Sequence, residues 1–229
     1  KILHGMDVAH GYIDDIIVAS KTLAEHIEDV RRTLDRLTNA GMRIARDKCH
    51  FGLPAVQALG HWVSAAGIFP DAQKVKAVLD WPQPTSLADL QSFMGLVNYF
   101  ADHIPMYSAL AAPLNALKRK GIADKFPWDK PWIGERLEAF TKLKAVLAQR
   151  LRLSYPQWDW SFYLATDAST HGLGGVLYQV NPDTKEQHLV MCMSRSLTNA
   201  EANYSATKLE LAAIIYCLRR CRYYLFGRH

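Results

Sequence analysis

Cysteine is scarce in this chain. Cys49, Cys192, Cys217 and Cys221 are the only four in 229 residues, and no regular spacing links them. That excludes a small disulfide-stapled fold and predicts reduced thiols. The ligand spacings of zinc modules are also absent. No apolar run reaches membrane-spanning length, and no basic start leads into an apolar signal core. An intracellular product that is neither secreted nor membrane-bound is therefore expected. There is no internal repeat and no low-complexity tract. Gly172, Gly174 and Gly175 cluster, but no helix follows them directly, so they are not a phosphate-binding glycine loop. A bulge or a close backbone approach is the expected use of that cluster. The first residue is Lys1 rather than Met, so the chain is expected to be a piece of a longer product.

What is present is ordinary globular material: 49% hydrophobic and 21% charged residues, enough for one large domain or two small ones. The net charge of +5 is unevenly spread. Residues 208–229 carry Lys208, Arg219, Arg220, Arg222 and Arg228 against Glu210 alone. Such a basic terminal helix suits a polyanionic partner, and it equally suits a solvated basic face.

Tyr12-Ile13-Asp14-Asp15 is the most informative segment. Two adjacent carboxylates interrupt a buried-strand pattern that runs from Gly11 to Ala19. Burying ionised carboxylates is costly unless they are paired or bind a cation. Oxygen-only ligands at a tight turn suit Mg²⁺, and a nucleotidyl transferase uses such carboxylates to hold its metal ions. An ordinary acidic hairpin turn is the alternative. A second constellation is Asp167, near the end of an apolar strand, and Glu210, on a helix with apolar neighbours. Three antiparallel strands followed by a helix can bring a strand Asp and a helix Glu together to ligate Mg²⁺ for phosphodiester hydrolysis.

Local patterns predict the elements between these sites. Residues 8–19 read as a hairpin. Thr22 and Glu25 have capping-box spacing, Leu23, Ile27, Val30, Leu34 and Leu37 form one helical face, and Gly41 is a stop. Residues 57–64 read as one strand, with residues 65–67 as the loop of a hairpin. Asp71 and Thr85-Ser86 open helices. Pro113-Leu114 begins another, and residues 118–134 are the best linker candidate. Leu137, Phe140, Leu143 and Leu147 mark the next helix. Strands follow at 162–167, 172–179 and 188–194. Thr198 and Glu201 then cap a long helix that ends at Gly227.

Taken together, these segments resemble the Gypsy-type LTR retrotransposon polyprotein. Tyr12-Ile-Asp-Asp-Ile-Ile-Val18 with Ser20-Lys21 and His26 resembles the second metal-binding motif of a reverse transcriptase palm. Lys48-Cys49, Phe51-Gly52, Leu59-Gly60-His61, Gly67-Ile68, Pro70-Asp71 and Trp81-Pro82 resemble the region just downstream, as do Ser92-Phe93, Gly95-Leu96 and Asn98-Tyr99. Thr166-Asp-Ala-Ser169, Gly172, Gly174, Ser194-Arg195, Asn203-Tyr204-Ser205, Glu210-Leu211 and Tyr224-Leu225 resemble its ribonuclease H domain.

The resemblance implies an α+β chain with three parts. Residues 1–20 are a reverse transcriptase palm remnant holding a hairpin. Residues 21–125 are a helical thumb or connection region. Residues 126–229 are a ribonuclease H-like mixed sheet with a long helix, truncated at its C-terminus. It implies parent reactions of RNA-directed DNA synthesis and two-metal hydrolysis of RNA in RNA–DNA hybrids. It makes Asp14, Asp15, Asp167 and Glu210 the catalytic metal ligands, with Mg²⁺ or Mn²⁺ as cofactor. The implied partners are an RNA–DNA hybrid or template–primer duplex and the remainder of the pol polyprotein, with no membrane.

Departures from the family pattern set a competing expectation. The palm strand supplying the first polymerase carboxylate is absent. The sequence stops at Arg228-His229, before a Thr-Asp-His segment that carries the next nuclease carboxylate. Ala101 and Asp102 stand where arginines are usual, which weakens phosphate contact. Gly11 precedes Tyr12 where a β-branched or aromatic residue is usual, which loosens the strand. A catalytically dead remnant, or a co-opted nucleic-acid-binding module, is the alternative to an enzyme.

Overall fold

The computed structural model describes residues 2–119, 121–149 and 151–227. Lys120 of the predicted linker and Arg228 of the basic terminal stretch lie outside the described residues. The chain divides into two compact units, Lys1–Ala65 and Ala66–His229.

In the first unit, strands β1 (Ala9–Tyr12) and β2 (Asp15–Val18) pair antiparallel, with Tyr12 opposite Asp15. Helix α1 (Leu23–Asn39) starts where sequence places it. The Thr22 side chain accepts from the Glu25 backbone N–H, and the Glu25 carboxylate accepts from the Thr22 N–H. Its end is a Schellman closure: Gly41 adopts φ +76°, its N–H reaches the Thr38 carbonyl, and Met42 N–H reaches that of Leu37. The apolar stripe is only half used. Leu37 is buried and Val30 and Leu34 are half-buried, but Leu23 and Ile27 are exposed.

Strands β3 (Ala55–Ala58) and β4 (His61–Ser64) form a second hairpin. This corrects the single strand expected over 57–64. Leu59 and Gly60 both take positive φ, 48° and 68°, in a two-residue turn of the kind that matches strand twist. A leucine at such a position is uncommon, so the turn carried little sequence signal.

The second unit begins with β5 (Gly67–Pro70), whose Ile68 exchanges two backbone hydrogen bonds with Leu153. A helical layer follows: α2 (Ala72–Asp80), α3 (Leu87–Tyr99), α4 (Tyr107–Ala116) and α5 (Glu135–Ala148). Asp71 and Ser86 cap the first two through their side chains. Val78, Leu90, Phe93, Val97, Leu114 and Leu143 are fully buried here, and the Phe93 ring lies 4.7 Å from that of Phe140.

Two expectations fail in this layer. Pro113 lies inside α4 rather than opening a helix. The helix starts at Tyr107, after Met106 in left-handed conformation (φ +53°). The linker candidate is packed, not free. Trp132 is buried, Phe126, Trp128 and Trp132 contact one another edge-on or tilted, and Gln83 bonds the backbone of Lys130 and Trp132. Burial of Trp132, with Phe126 and Trp128 partly buried beside it, outweighs the Pro and Gly content that suggested a linker.

Strands β6 (Phe162–Ala168), β7 (Gly172–Val180) and β8 (Gln187–Ser196) form an antiparallel sheet in that order. Helix α6 (Ala206–Arg220) covers one face and short α7 (Arg222–Leu225) follows it. The Thr198–Glu201 box exists, but it opens only a 3₁₀ turn at Glu201–Asn203. The long helix starts after Ser205, because Tyr204 is extended.

Candidate metal and nucleic-acid sites

The hairpin of the first unit presents Asp14 and Asp15 together at an exposed turn. Ile13, the residue before them, is 87% exposed and has φ +54°. A β-branched residue pays conformational strain there, and two like charges side by side add repulsion. Asp14 and Asp15 are both exposed at this turn and offer carboxylate oxygens. That donor set fits a hard divalent cation.

In the second unit, alternation along the strands fixes which side chains share a face. Phe162, Leu164 and Ala168 pack towards α6, among Cys217, Cys221, Leu209 and Ala213. Gly175 belongs to that face, since a Cβ there would sit 2.7 Å from Cys217 Sγ. Asp167 has the opposite parity. It pairs with Gly174, and Gly174 pairs with Ser194, so the three form one row across the other face. That face is covered by the helical layer. The Met106 thioether lies over Gly174, and Ser194 Oγ accepts from the Ser108 N–H at 3.0 Å and pairs with its hydroxyl at 3.1 Å.

That cover stops short of Asp167, which is exposed near the end of strand β6, on the face turned from α6. Glu210 is exposed early in α6. The structure packs β6 against α6, and both carboxylates are exposed. Neither is in an ion pair among the described residues. The described residues also contain no group of three or more His, Cys, Asp or Glu that could hold a metal ion.

The basic terminal residues Lys208, Arg219, Arg220 and Arg222 are exposed on α6 and α7. The four cysteines are free. Burial pushes the Cys192 and Cys221 thiols up to about 12 and Cys217 to about 11, so all three are inert core residues.

One pairing was invisible in the sequence. Arg195 donates through both terminal nitrogens to Glu201, at 2.6 and 2.7 Å, and Thr198 adds two more donors to the same carboxylate. Arg195 also lies over the Tyr216 ring. Hydrogen bonds from Arg195 and Thr198 hold the Glu201 carboxyl down at about 2, and the Arg195 guanidinium is raised in turn. Because the folded value lies below the ordinary 4.5, the stabilisation is complete above that pH and is lost as pH falls towards about 2. Arg195 is a third exposed, which limits the worth of the pair to about 2 kcal/mol. Glu201→Gln is expected to lower stability by about that amount at pH 7 and to unfold less steeply than wild type between pH 4.5 and 2. Denaturant melts across that range measure both, and parallel acid profiles would refute the assignment.

Residues 3–63 match the family described as reverse transcriptase (RNA-dependent DNA polymerase). Residues 132–229 match the RNase H-like domain found in reverse transcriptase. The fold is that of the foamy viral protease-reverse transcriptase, solved in complex with RNA/DNA hybrid (TM-score 0.78) and, in a dRH form, with ds DNA (TM-score 0.79). Each shares 20% identity and covers 99% of this chain, which covers 30% and 38% of those chains.

The chain thus carries, in this order, a stretch that matches reverse transcriptase and a stretch that matches the ribonuclease H-like domain found in reverse transcriptases. More particularly, it is similar to retrotransposon Pol polyproteins. It is 37% identical over 217 residues to the retrovirus-related Pol polyprotein from transposon 297 of Drosophila melanogaster, and 35% over 227 residues to that from transposon opus. It is 34% identical over 214 residues to the transposon Tf2-3 polyprotein of Schizosaccharomyces pombe. These alignments cover 95%, 96% and 93% of this chain, but it spans only 20%, 22% and 16% of those relatives. Among the described residues no helix is long and apolar enough to cross a membrane.

Proposed function

We propose that this chain serves the Pol product of a Gypsy-type LTR element by holding an RNA–DNA hybrid or template–primer duplex against acidic metal sites. In that product the reactions are RNA-directed DNA synthesis and hydrolysis of the RNA strand of a hybrid. Residues 1–20 act as palm, 21–125 as thumb or connection, and 126–229 as the nuclease-like part. The observation that carries this reading is the antiparallel β6–β8 sheet, backed by α6, with Asp167 exposed at its edge and Glu210 on the backing helix.

These carboxylates fit Mg²⁺ or Mn²⁺, both of which take oxygen donors and leave room for water and substrate phosphates. Asp167 and Glu210 would hold the nuclease ion. Asp14 and Asp15 would hold the polymerase ion. When bound, such an ion stabilises the attacking and leaving oxygens of an in-line displacement. The residues of this chain contribute charge and placement. Exposed acidic side chains accept the cation, and exposed cations on α6 and α7 attract the nucleic-acid backbone.

A non-catalytic binding module is the second reading. It rests on the exposed basic residues Lys208, Arg219, Arg220 and Arg222 of α6 and α7, which suit a polyanion whether or not chemistry follows. The deciding experiment incubates the 229-residue chain with a labelled RNA–DNA hybrid in Mg²⁺, in Mn²⁺ and in chelator. Metal-dependent scission supports the nuclease reading. Salt-sensitive binding without scission supports the module. Absence of binding at low salt rejects both.

A further inference from the structure

A cleft of about 370 Å³ opens where α3, α4 and β8 meet, and no role has yet been given to it. Gln91, Gly95 and Asn98 of α3 border it, with Asn115 of α4, Lys118 just beyond, and Ser194 and Ser196 of β8. Three features define its chemistry. None of its lining residues is acidic, so it is no cation site. Lys118 is half-buried and, among the described residues, has no carboxylate within ion-pair distance. A partly desolvated cation without a counter-ion is costly, and an anion would relieve that cost. The remaining polar groups are neutral amides and hydroxyls that donate to oxygen. Tyr107 belongs with them, because burial pushes its hydroxyl up to about 12 and keeps it protonated. One cation ringed by neutral donors suits the oxygens of a phosphate.

The sheet register says where such a phosphate would lie. Ser194 borders the cleft and stands in the same row as Gly174 and Asp167. Two strand spacings separate Ser194 from Asp167, roughly 10 Å. Met106, resting on Gly174, forms an apolar ridge between them. A group seated in the cleft is thus on the Asp167 face of the sheet, at its level, a short stretch of nucleic-acid backbone away.

We propose that this cleft is a phosphate subsite, with Lys118 as its cation, and that it seats a backbone phosphodiester of the strand presented to Asp167. The assignment rests on the nucleic-acid reading above. A free nucleotide offers the same chemistry, so the test separates the two.

Hybrid affinity is measured by fluorescence anisotropy on the full chain between 50 and 300 mM salt. The variants are Lys118→Gln, Asn115→Asp and, as a remote control, Lys185→Gln in the β7–β8 loop. Losing one phosphate contact reduces the slope of log K against log salt by about 0.9 and costs about five-fold in affinity near 0.15 M salt. Lys118→Gln is expected to show both effects. Asn115→Asp, which places an anion in the cleft, is expected to lose more, and Lys185→Gln to match wild type. An unchanged slope for Lys118→Gln, or an equal drop for Lys185→Gln, overturns the backbone assignment.

A second arm follows the ¹³Cε resonance of Lys118 on addition of hybrid or of a deoxynucleoside monophosphate. A shift with hybrid supports the phosphodiester. A shift with the monophosphate alone moves the site to free nucleotides and overturns the backbone assignment. No shift with either removes the site. Failure of the wild-type chain to bind hybrid at all would instead reject the parent reading, and the monophosphate arm would still decide the cleft.

Discussion

Gly67→Ala is expected to be among the most damaging single changes in the chain, costing about 4 kcal/mol. Two penalties add. Gly67 has φ +131°, a conformation that L side chains rarely adopt, and such backbone strain costs about 1–3 kcal/mol. A Cβ there would also run into the Leu153 carbonyl oxygen, with Arg152 Cγ at 3.1 Å. The obstacle is backbone, so it cannot swing aside as a side chain would. That carbonyl accepts from the Ile68 N–H at 2.8 Å, and Ile68 returns a bond to the Leu153 N–H at 2.9 Å. Any shift that clears the methyl breaks this bridge and loosens the segment before β6. Overpacking of this kind costs about 1–3 kcal/mol more. For a unit of this size the sum corresponds to a fall in Tm of about 10 °C. Gly95→Ala is the internal control. It lies within α3 with open space around it, so alanine should stabilise by about 0.5–1 kcal/mol. Thermal melts of the two variants should move in opposite directions. If Gly67→Ala melts within 2 °C of wild type, the close approach is wrong.

Gly67 also shows how far the sequence can be read. Its position after Ala65-Ala66 suggested a glycine chosen for a turn. The structure uses it for a contact with a residue far away in the chain. The same division runs through the fold. Signals that act within a few residues were legible: Thr22 with Glu25, Asp71 and Ser86 cap the helices they were expected to cap. Elements decided by distant packing were not. Trp128 and Trp132 anchor a segment that reads as a linker. Glu201 pairs with Arg195 as well as closing its capping box, and that box opens only a short turn because Tyr204 is extended.

The site followed the same rule. Carboxylates in a strand and a helix were legible as types. The face from which Asp167 emerges was not. Along 162–168 both parities carry apolar residues, with Phe162 and Leu164 on one side and Tyr163 and Ala165 on the other. Only the pairing of Gly174 and Gly175 with Met106 and Cys217 tells the faces apart. The Lys118 cleft had no local signature, because α3, α4 and β8 meet only in the folded chain.

Asp167→Asn is expected to separate chemistry from folding. The change is isosteric and exposed, and Asp167 makes no ion pair among the described residues, so Tm should move by no more than about 1 °C. Any metal-dependent hybrid scission should fall by at least about 100-fold, because a neutral amide replaces a charged oxygen donor. Hybrid affinity in chelator should hold or rise slightly, since one negative charge near the phosphates is gone. Glu210→Gln should reproduce this pattern if both carboxylates serve one ion. It should leave scission intact if Asp167 acts with a different partner. Scission retained in both variants would show that the chemistry lies elsewhere, and equal loss in both would place the ion at the sheet edge that α6 backs.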